Sequence, residues 1–416
     1  MNQKQQVGSD MEEGNEKVVV EGLYKIFGPD PDRAFGLIDQ GKGKDEVFEE
    51  TGLTIGVQNA SFNVHSGEIF VIMGLSGSGK STIVRMLNRL IEPTAGHVYL
   101  EGKDVAKMTK DELIDIRRKK MSMVFQSFAL MPHMTVIKNA AFGLEIAGMD
   151  EKEREKRAMD ALDQVGLKPY ANSYPKELSG GMQQRVGLAR GLAVDPTIML
   201  MDEAFSALDP LIRTEMQDEL LKLQQESQRT VVFISHDLDE AMRIGDRIAM
   251  MEGGRIVQVG TPEDILKNPA DEYVKAFFRG VDPTNVLSAG DVARDIYPTI
   301  IRHRGEGLRS ALERILEEDR TYAYVLDQQG IFQGVVSVDS VKNAMEKEAT
   351  SLEEAFLGDV ATVSGDSTLQ GVLPVITRAD WAVPVVDEDN KYLGAISRNR
   401  FLRTLDRHTE NENNNG

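Results

Sequence analysis

The chain has 416 residues, 41% of them hydrophobic, which is too long for one ordinary core and apolar enough to fill two or three domains. Lys and Arg number 48 against 67 Asp and Glu, and the net charge of -19 sets the surface against nucleic-acid backbones. There is no Cys, which excludes disulfides and thiolate metal sites, and no apolar run nears the roughly 20 residues that span a bilayer, so any membrane role is expected to be peripheral.

Residues 1–17 have the polar composition of a disordered tail. From residue 18 to about 280, short β-branched runs alternate with helical patterns such as "LIRTEMQDELLKLQQES", which predicts an α/β domain with largely parallel strands. Early in it the apolar strand "IFVIM" runs into "GLSGSGKST", and the helix "STIVRMLNRL" follows. This is the full spacing and context of a P-loop. The loop curls its N–H groups towards phosphate oxygens, so Gly74, Leu75, Ser76, Gly77, Ser78, Gly79, Lys80, Ser81 and Thr82 are expected to bind nucleotide. Lys80 is expected to reach the β- and γ-phosphates and Ser81 to ligate Mg²⁺.

Further on, Ser179, Gly180 and Gly181 of "LSGGMQQR" open another helix. They predict a second anion site that one P-loop domain does not need for its own nucleotide, and its evident use is the ATP of a partner copy. After the strand "IMLM", Asp202 and Glu203 stand at a C-terminal strand end, where parallel sheets bind their ligands. Asp202 suits Mg²⁺ held through water, and Glu203 suits the polarisation of an attacking water. Hydrolysis of ATP or GTP is the predicted chemistry.

The segment "FRGVDPTNV" (278–286) reads as a linker, and beyond it the chain repeats itself. At an offset of 60, "LDQQGIFQGVVSVDS" lies over "VDEDNKYLGAISRNR", aligning Asp327 with Asp387 and Gly334 with Gly394. Each copy predicts strand, turn, strand and helix. Residues 409–416 form a second polar tail.

Gln126 after "MSMVF", "SALD" ending at Asp209, and His236 after "VVFIS" complete a series over residues 74–237 that resembles the ABC ATPase family. The resemblance implies an ABC-type P-loop fold with a helical subdomain over about 127–178. By it, the catalytic group is Glu203, the switch histidine His236, Gln126 and Lys80, and the Mg²⁺ ligands are Ser81, Gln126 and Asp202. Asp209 would cross the dimer, Ser179 and Gly181 would cap the partner's ATP, and Phe27 in "KIFG" would stack on adenine. Met182 and Ala204 replace the Gln and Pro usual in the family, and neither change removes a phosphate donor or the base. The long segment at about 28–56, with "LNRLIEPT" and "MDEAFSALDPLIR", is similar to the ATPase subunits of glycine betaine/proline betaine importers. The repeat resembles a tandem pair of CBS domains, at about 285–345 and 350–408.

These resemblances imply a homodimer of ATPase subunits at the cytoplasmic face of the membrane. Permease subunits would dock on the helical region, and an extracytoplasmic binding protein would deliver an osmoprotectant. The alternative is a soluble ABC ATPase acting on nucleic acid or in translation, which the acidic charge opposes. Many CBS domains hold ribose with an Asp three residues after Ser or Thr, but Ser340 and Arg400 occupy those places here. Arg400, Arg403 and Arg407 share a helical stripe, expected to be solvated, whose attraction to anionic lipid would fade with salt over a Debye length of about 8 Å.

Overall fold

The structure is a computed structural model that describes residues 16–126, 128–280, 284, 286–301, 307–358 and 360–406. It divides into two compact units, Met1–Phe278 and Arg279–Gly416.

The first unit begins β1 (Glu16–Phe27), α1 (Asp32–Asp39), α2 (Lys44–Thr51), β2 (Thr54–His65), β3 (Ile69–Met73), α3 (Lys80–Leu87), β4 (Ala95–Leu100), β5 (Lys103–Asp104), α4 (Lys110–Lys119) and β6 (Met121–Phe125). It continues α5 (Val136–Ile146), α6 (Glu151–Gln164), α7 (Gly180–Ala193), β7 (Ile198–Asp202), α8 (Pro210–Ser227), β8 (Thr230–Ser235), α9 (Leu238–Ile244), β9 (Arg247–Glu252), β10 (Arg255–Gly260), α10 (Pro262–Lys267) and α11 (Glu272–Phe277). Glu16 and Lys17, expected in the tail, already belong to β1. The remainder of that tail and residues 409–416 lie outside the described residues.

One sheet is antiparallel, in the order β2-β1-β4-β5; the other has the order β10-β9-β3-β8-β7-β6 and is parallel except for the β9–β10 hairpin. Strands β3, β7 and β8 are buried at every residue, which is why they read as unbroken apolar runs. Val20, Val57 and Val98 of the antiparallel sheet share one core with Ile72, Leu200 and Ile234 of the parallel sheet and Ile83 and Leu87 of α3. Helices α5, α6 and α7 pack on one another. The stripe that α5 buries includes Ala140, Ala141 and Leu144.

The chain leaves the antiparallel sheet at Phe27 and re-enters at its pairing partner Thr54. Between them α1 and α2 close around fully buried Ala34 and Val47, packed on Ile26, Leu53 and Ile55. Of the insertion expected at about 28–56, Thr54, Ile55 and Gly56 already belong to β2, where Thr54 and Ile55 pair with Phe27 and Ile26.

The second unit runs α12 (Ala289–Val292), β11 (Thr299–Ile301), α13 (Leu308–Glu317), β12 (Tyr322–Leu326), β13 (Phe332–Ser337), α14 (Val338–Glu346), β14 (Val363–Ser364), α15 (Leu369–Arg378), β15 (Val383–Val386), β16 (Tyr392–Ile396) and α16 (Arg398–Asp406). Its sheets, β11-β12-β13 and β14-β15-β16, each pair the first two strands parallel and the last two antiparallel. Asp327 Oδ1 accepts from the N–H groups of Gln329 and Ile331 at 2.8 and 2.9 Å, and Asp387 Oδ1 accepts likewise from Asp389 and Lys391 at 3.0 and 2.8 Å. The repeat in sequence is thus a repeat in structure. Tyr324, Val335, Ala382 and Ala395 pack in a core that both copies share.

Residues 289–294 depart from the expected division at about 285. Ala289 N–H donates to the Ser367 carbonyl at 2.8 Å, and Arg294 and Ala395 exchange backbone bonds at 3.1 and 3.0 Å, so this opening segment sits on the second copy. Ser340, at the expected ribose position, instead caps α14 with Ser337. The basic stripe is not uniformly solvated: Arg403 is exposed, Arg400 is half-buried, and Arg407 lies outside the described residues.

Candidate nucleotide site

Between β3 and α3 the backbone takes positive φ at Gly74 (151°), Gly77 (79°) and Gly79 (106°). A Cβ on Gly74 would stand 2.0 Å from the Met251 carbonyl oxygen, and one on Gly79 would stand 2.2 Å from that of Gly56. Only glycine fits at either place. The curl leaves the first-turn N–H groups of α3 without intrahelical acceptors, a place for an anion. Inside it, the Ser78 hydroxyl is buried with no hydrogen-bond partner among the described residues. Lys80 is buried as well, and its Nζ donates to the carbonyls of Gly74 and Leu75 at 2.8 and 3.0 Å. Burial lowers the pKa of this ammonium, against the opposing pull of Glu203 and Asp202.

Strand β7 brings Asp202 to the loop. Its Oδ1 accepts from Ser81 Oγ at 2.9 Å and its Oδ2 from Arg85 at 3.3 Å. Glu203 follows with φ at 48°, a conformation that costs a non-glycine residue about 1–3 kcal/mol and that clusters at functional sites. His236, just past β8, approaches it with Nδ1 3.4 Å from Glu203 Oε2. Gln126 leaves β6 beside Asp202, since Phe125 and Asp202 are paired in register, and its Nε2 donates to Ser206 Oγ at 3.2 Å. Ser206 Oγ in turn donates to the Glu203 carbonyl at 2.9 Å. Lys80, Ser81, Asp202, Glu203, Gln126 and His236 thus come together around one loop.

Phe27 lies at the same site. A Cβ on Gly56 would meet its ring at 2.7 Å, and Gly56 abuts Gly79. The ring is 40% exposed, with the Lys25 ammonium 5.2 Å from its centroid. Thr82 stands on the first turn of α3.

The remaining candidates stand apart. Ser179 is an exposed N-cap of α7 that accepts from Met182 N–H at 3.4 Å, and Gly180 beside it is exposed too. Gly181 has a packing reason that sequence reasoning missed, since a Cβ there would lie 2.4 Å from Ile212 Cγ2. Asp209 is exposed and caps α8, accepting from Ile212 N–H at 3.1 Å. Among the described residues, no hydrogen bond or ion pair joins 179–181 or Asp209 to the P-loop of the same chain.

Three contributors escaped the sequence. Lys44 of the insertion reaches the Gly77 carbonyl at 3.3 Å. The Tyr273 hydroxyl on α11 accepts from Leu75 N–H at 3.4 Å and donates to the Met251 carbonyl at 3.2 Å. Arg213 meets Asp237 at 2.7 Å. Only Arg213 had a signal, standing one helical turn beyond Asp209.

The ABC transporter family profile matches residues 57–206, and the CBS domain profile matches 352–407. The chain is 59% identical to the glycine betaine/proline betaine transport system ATP-binding protein ProV of Escherichia coli (strain K12), over 94% of this chain and 98% of that protein. The chain belongs to this family of ABC transporter ATP-binding subunits. The subunit is also 50% identical to the glycine betaine/carnitine transport ATP-binding protein GbuA of Listeria monocytogenes serotype 1/2a, over 95% of this chain and 99% of that one. Among solved structures it is similar to the dimeric bacterial ABC transporter cassette MJ0796 and to the same cassette bound to ADP and Pi. Each shares 33% identity at TM-score 0.50, covering 59% of this chain and 98% of the cassette. The first unit is therefore an ATP-binding cassette with a helical subdomain, and the chain is an ABC ATPase.

The side chains suit a magnesium nucleotide. Ser81 and Asp202 offer hard oxygen donors in contact with each other, and the unpartnered Ser78 hydroxyl lies within a loop built to receive phosphate.

Proposed function

We propose that this subunit hydrolyses ATP to drive uptake of glycine betaine, proline betaine or a related osmoprotectant. The observation that carries the chemistry is the convergence of two contacts on Lys80's loop, Ser81 with Asp202 and His236 with Glu203. When bound, Mg²⁺ would be held by Ser81 and, through water, Asp202, with Gln126 beside them, and it supplies charge neutralisation between the transferred phosphoryl and its leaving group. Lys80 keeps its ammonium inside the loop through two carbonyl bonds, so positive charge already lies where phosphate oxygens are received. Glu203 accepts a proton from the attacking water, and His236 orients it from the next strand end. Phe27 offers a ring face to the base.

Ser179, Gly180 and Asp209 are exposed and stand apart from the P-loop, which supports their use on the nucleotide of a second copy in a homodimer, with Gly181 buried behind them in the same helix start. Among the described residues no helix is long and apolar enough to cross a membrane, which supports a peripheral subunit that works beneath separate permease subunits at the cytoplasmic face. A groove of about 400 Å³, with Ile114 and Ile146 exposed at its edge and Arg117, Arg118 and Arg190 in its wall, suits a permease helix. Phe128, Met131, Met134 and Phe142 of the helical region are half-buried. An extracytoplasmic protein delivers the cargo, and the second unit, read as a tandem CBS pair, tunes the pump to ionic strength.

The test is labelled glycine betaine uptake at low and high osmolarity, in cells lacking betaine importers and given this subunit with its permease and binding protein. Uptake that rises with osmolarity and vanishes with Glu203→Gln supports the reading. Assembled, ATP-hydrolysing complexes without uptake would discard the cargo.

A further inference from the structure

The geometry points to Arg213 as a positioning residue that ties the loop carrying Asp209 to the loop carrying His236, so that events at one composite ATP site are felt at the other. This rests on the reading that Asp209 faces the partner copy.

Arg213 lies on α8, and its backbone N–H bonds to the Asp209 carbonyl at 2.9 Å. Its guanidinium forks. One terminal nitrogen donates to Asp237 Oδ2 at 2.7 Å and the other to the Leu208 carbonyl at 3.3 Å. Nε is buried with no hydrogen-bond partner among the described residues, so the contacts of the guanidinium are those of its two terminal nitrogens. Leu208 precedes Asp209, and Asp237 follows His236. A single planar cation therefore fixes the spacing of two loops that stand on separate strand ends.

The far side of the fork is itself rigid. Asp237 Oδ1 accepts from Glu240 N–H at 3.2 Å, and Asp237 N–H donates to Ser235 Oγ at 2.9 Å. Ser235 Oγ donates to Glu240 Oε2 at 2.5 Å, and Gln217 of α8 reaches Glu240 Oε1 at 3.3 Å. A shift of residues 206–209 by an approaching partner is thus passed to His236 through charged contacts, not through a flexible loop.

The test follows steady-state ATPase rate against ATP concentration in the full-length protein, with nucleotide affinity measured separately by a fluorescent ATP analogue. For two coupled sites the wild-type Hill coefficient is expected near 2. Arg213→Met should lower kcat about tenfold and bring the coefficient to about 1, with analogue affinity kept within about twofold. Arg213→Lys, which retains charge but not the fork, should fall between. Asp237→Asn should reproduce the Met variant, and the double variant should be no worse than either single one. Lower kcat with cooperativity intact, or additive losses in the double variant, overturns the coupling. A wild-type chain without cooperativity overturns the composite-site reading itself.

Discussion

Glu203 and His236 stand on neighbouring strand ends with Oε2 and Nδ1 3.4 Å apart, and Glu203 holds a left-handed backbone conformation to get there. The carboxylate is aimed by its backbone and steadied by its neighbour, while Asp202 beside it is engaged by Ser81 and Arg85. Adjacent acids thus have separate partners. Glu203→Gln keeps the shape and removes the base, so ATP turnover should fall about 10²–10⁴-fold while nucleotide is still bound, as phosphate release and equilibrium binding would report.

Ser81 and Asp202 are the proposed metal ligands, in contact with each other at 2.9 Å. Ser81→Ala or Asp202→Asn should raise the Mg²⁺ concentration required for half-maximal ATPase by about tenfold or more, read by titrating Mg²⁺ at fixed ATP. An unchanged requirement would remove both from the ligand set.

Phe27 offers a partly open ring beside Gly56 and Gly79. Stacking of a base on an aromatic ring is worth about 1–3 kcal/mol, so Phe27→Ala should raise KM for ATP by about tenfold, and Phe27→Tyr should leave it near the native value. Equal KM values in all three would assign the ring to packing alone.

Gly74 combines a φ of 151° with the Met251 carbonyl at 2.0 Å from any Cβ. Since a carbonyl of the sheet cannot step aside, Gly74→Ala should lower the melting temperature and abolish nucleotide-dependent stabilisation. Retained stabilisation by ATP would show that the loop can open elsewhere.

Burial raises the Glu240 carboxyl pKa above the ordinary glutamate range, only partly offset by the bonds from Ser235 and Gln217. The folded state then holds a proton that the unfolded chain has released, so stability declines as pH climbs from the ordinary glutamate range to the raised one. Glu240→Gln should remove this decline. Melting curves taken upward from the ordinary glutamate range should diverge in favour of the variant as pH rises, and parallel curves would count against it.

The P-loop was legible because its chemistry is contiguous: spaced glycines, one Lys and one Ser between an apolar run and a helix. Asp202 and Glu203 could be named because strand ends are where such a sheet binds ligands, and His236 through the resemblance to ABC ATPases. Lys44, Tyr273 and Arg213 were hidden because their contacts join residues far apart in the chain or side chains whose direction only packing decides. Gly181 looked like a backbone donor alone, and its contact with Ile212 depends on how α7 meets α8. The repeat was visible through Asp327 and Asp387, whose carboxylates make the same turn twice. The attachment of residues 289–294 to the second copy leaves no period to read.

Phe27 and Thr54 face each other across one rung of the antiparallel ladder, so residues 28–53 leave and rejoin the sheet at the same rung. A two-residue turn such as Asn-Gly would close the same rung. The segment could be added, enlarged or exchanged in descent without any strand changing its partner, and a protein engineer can treat it as a graft whose removal costs the Lys44 contact to the Gly77 carbonyl while the strand that carries Phe27 stays in place.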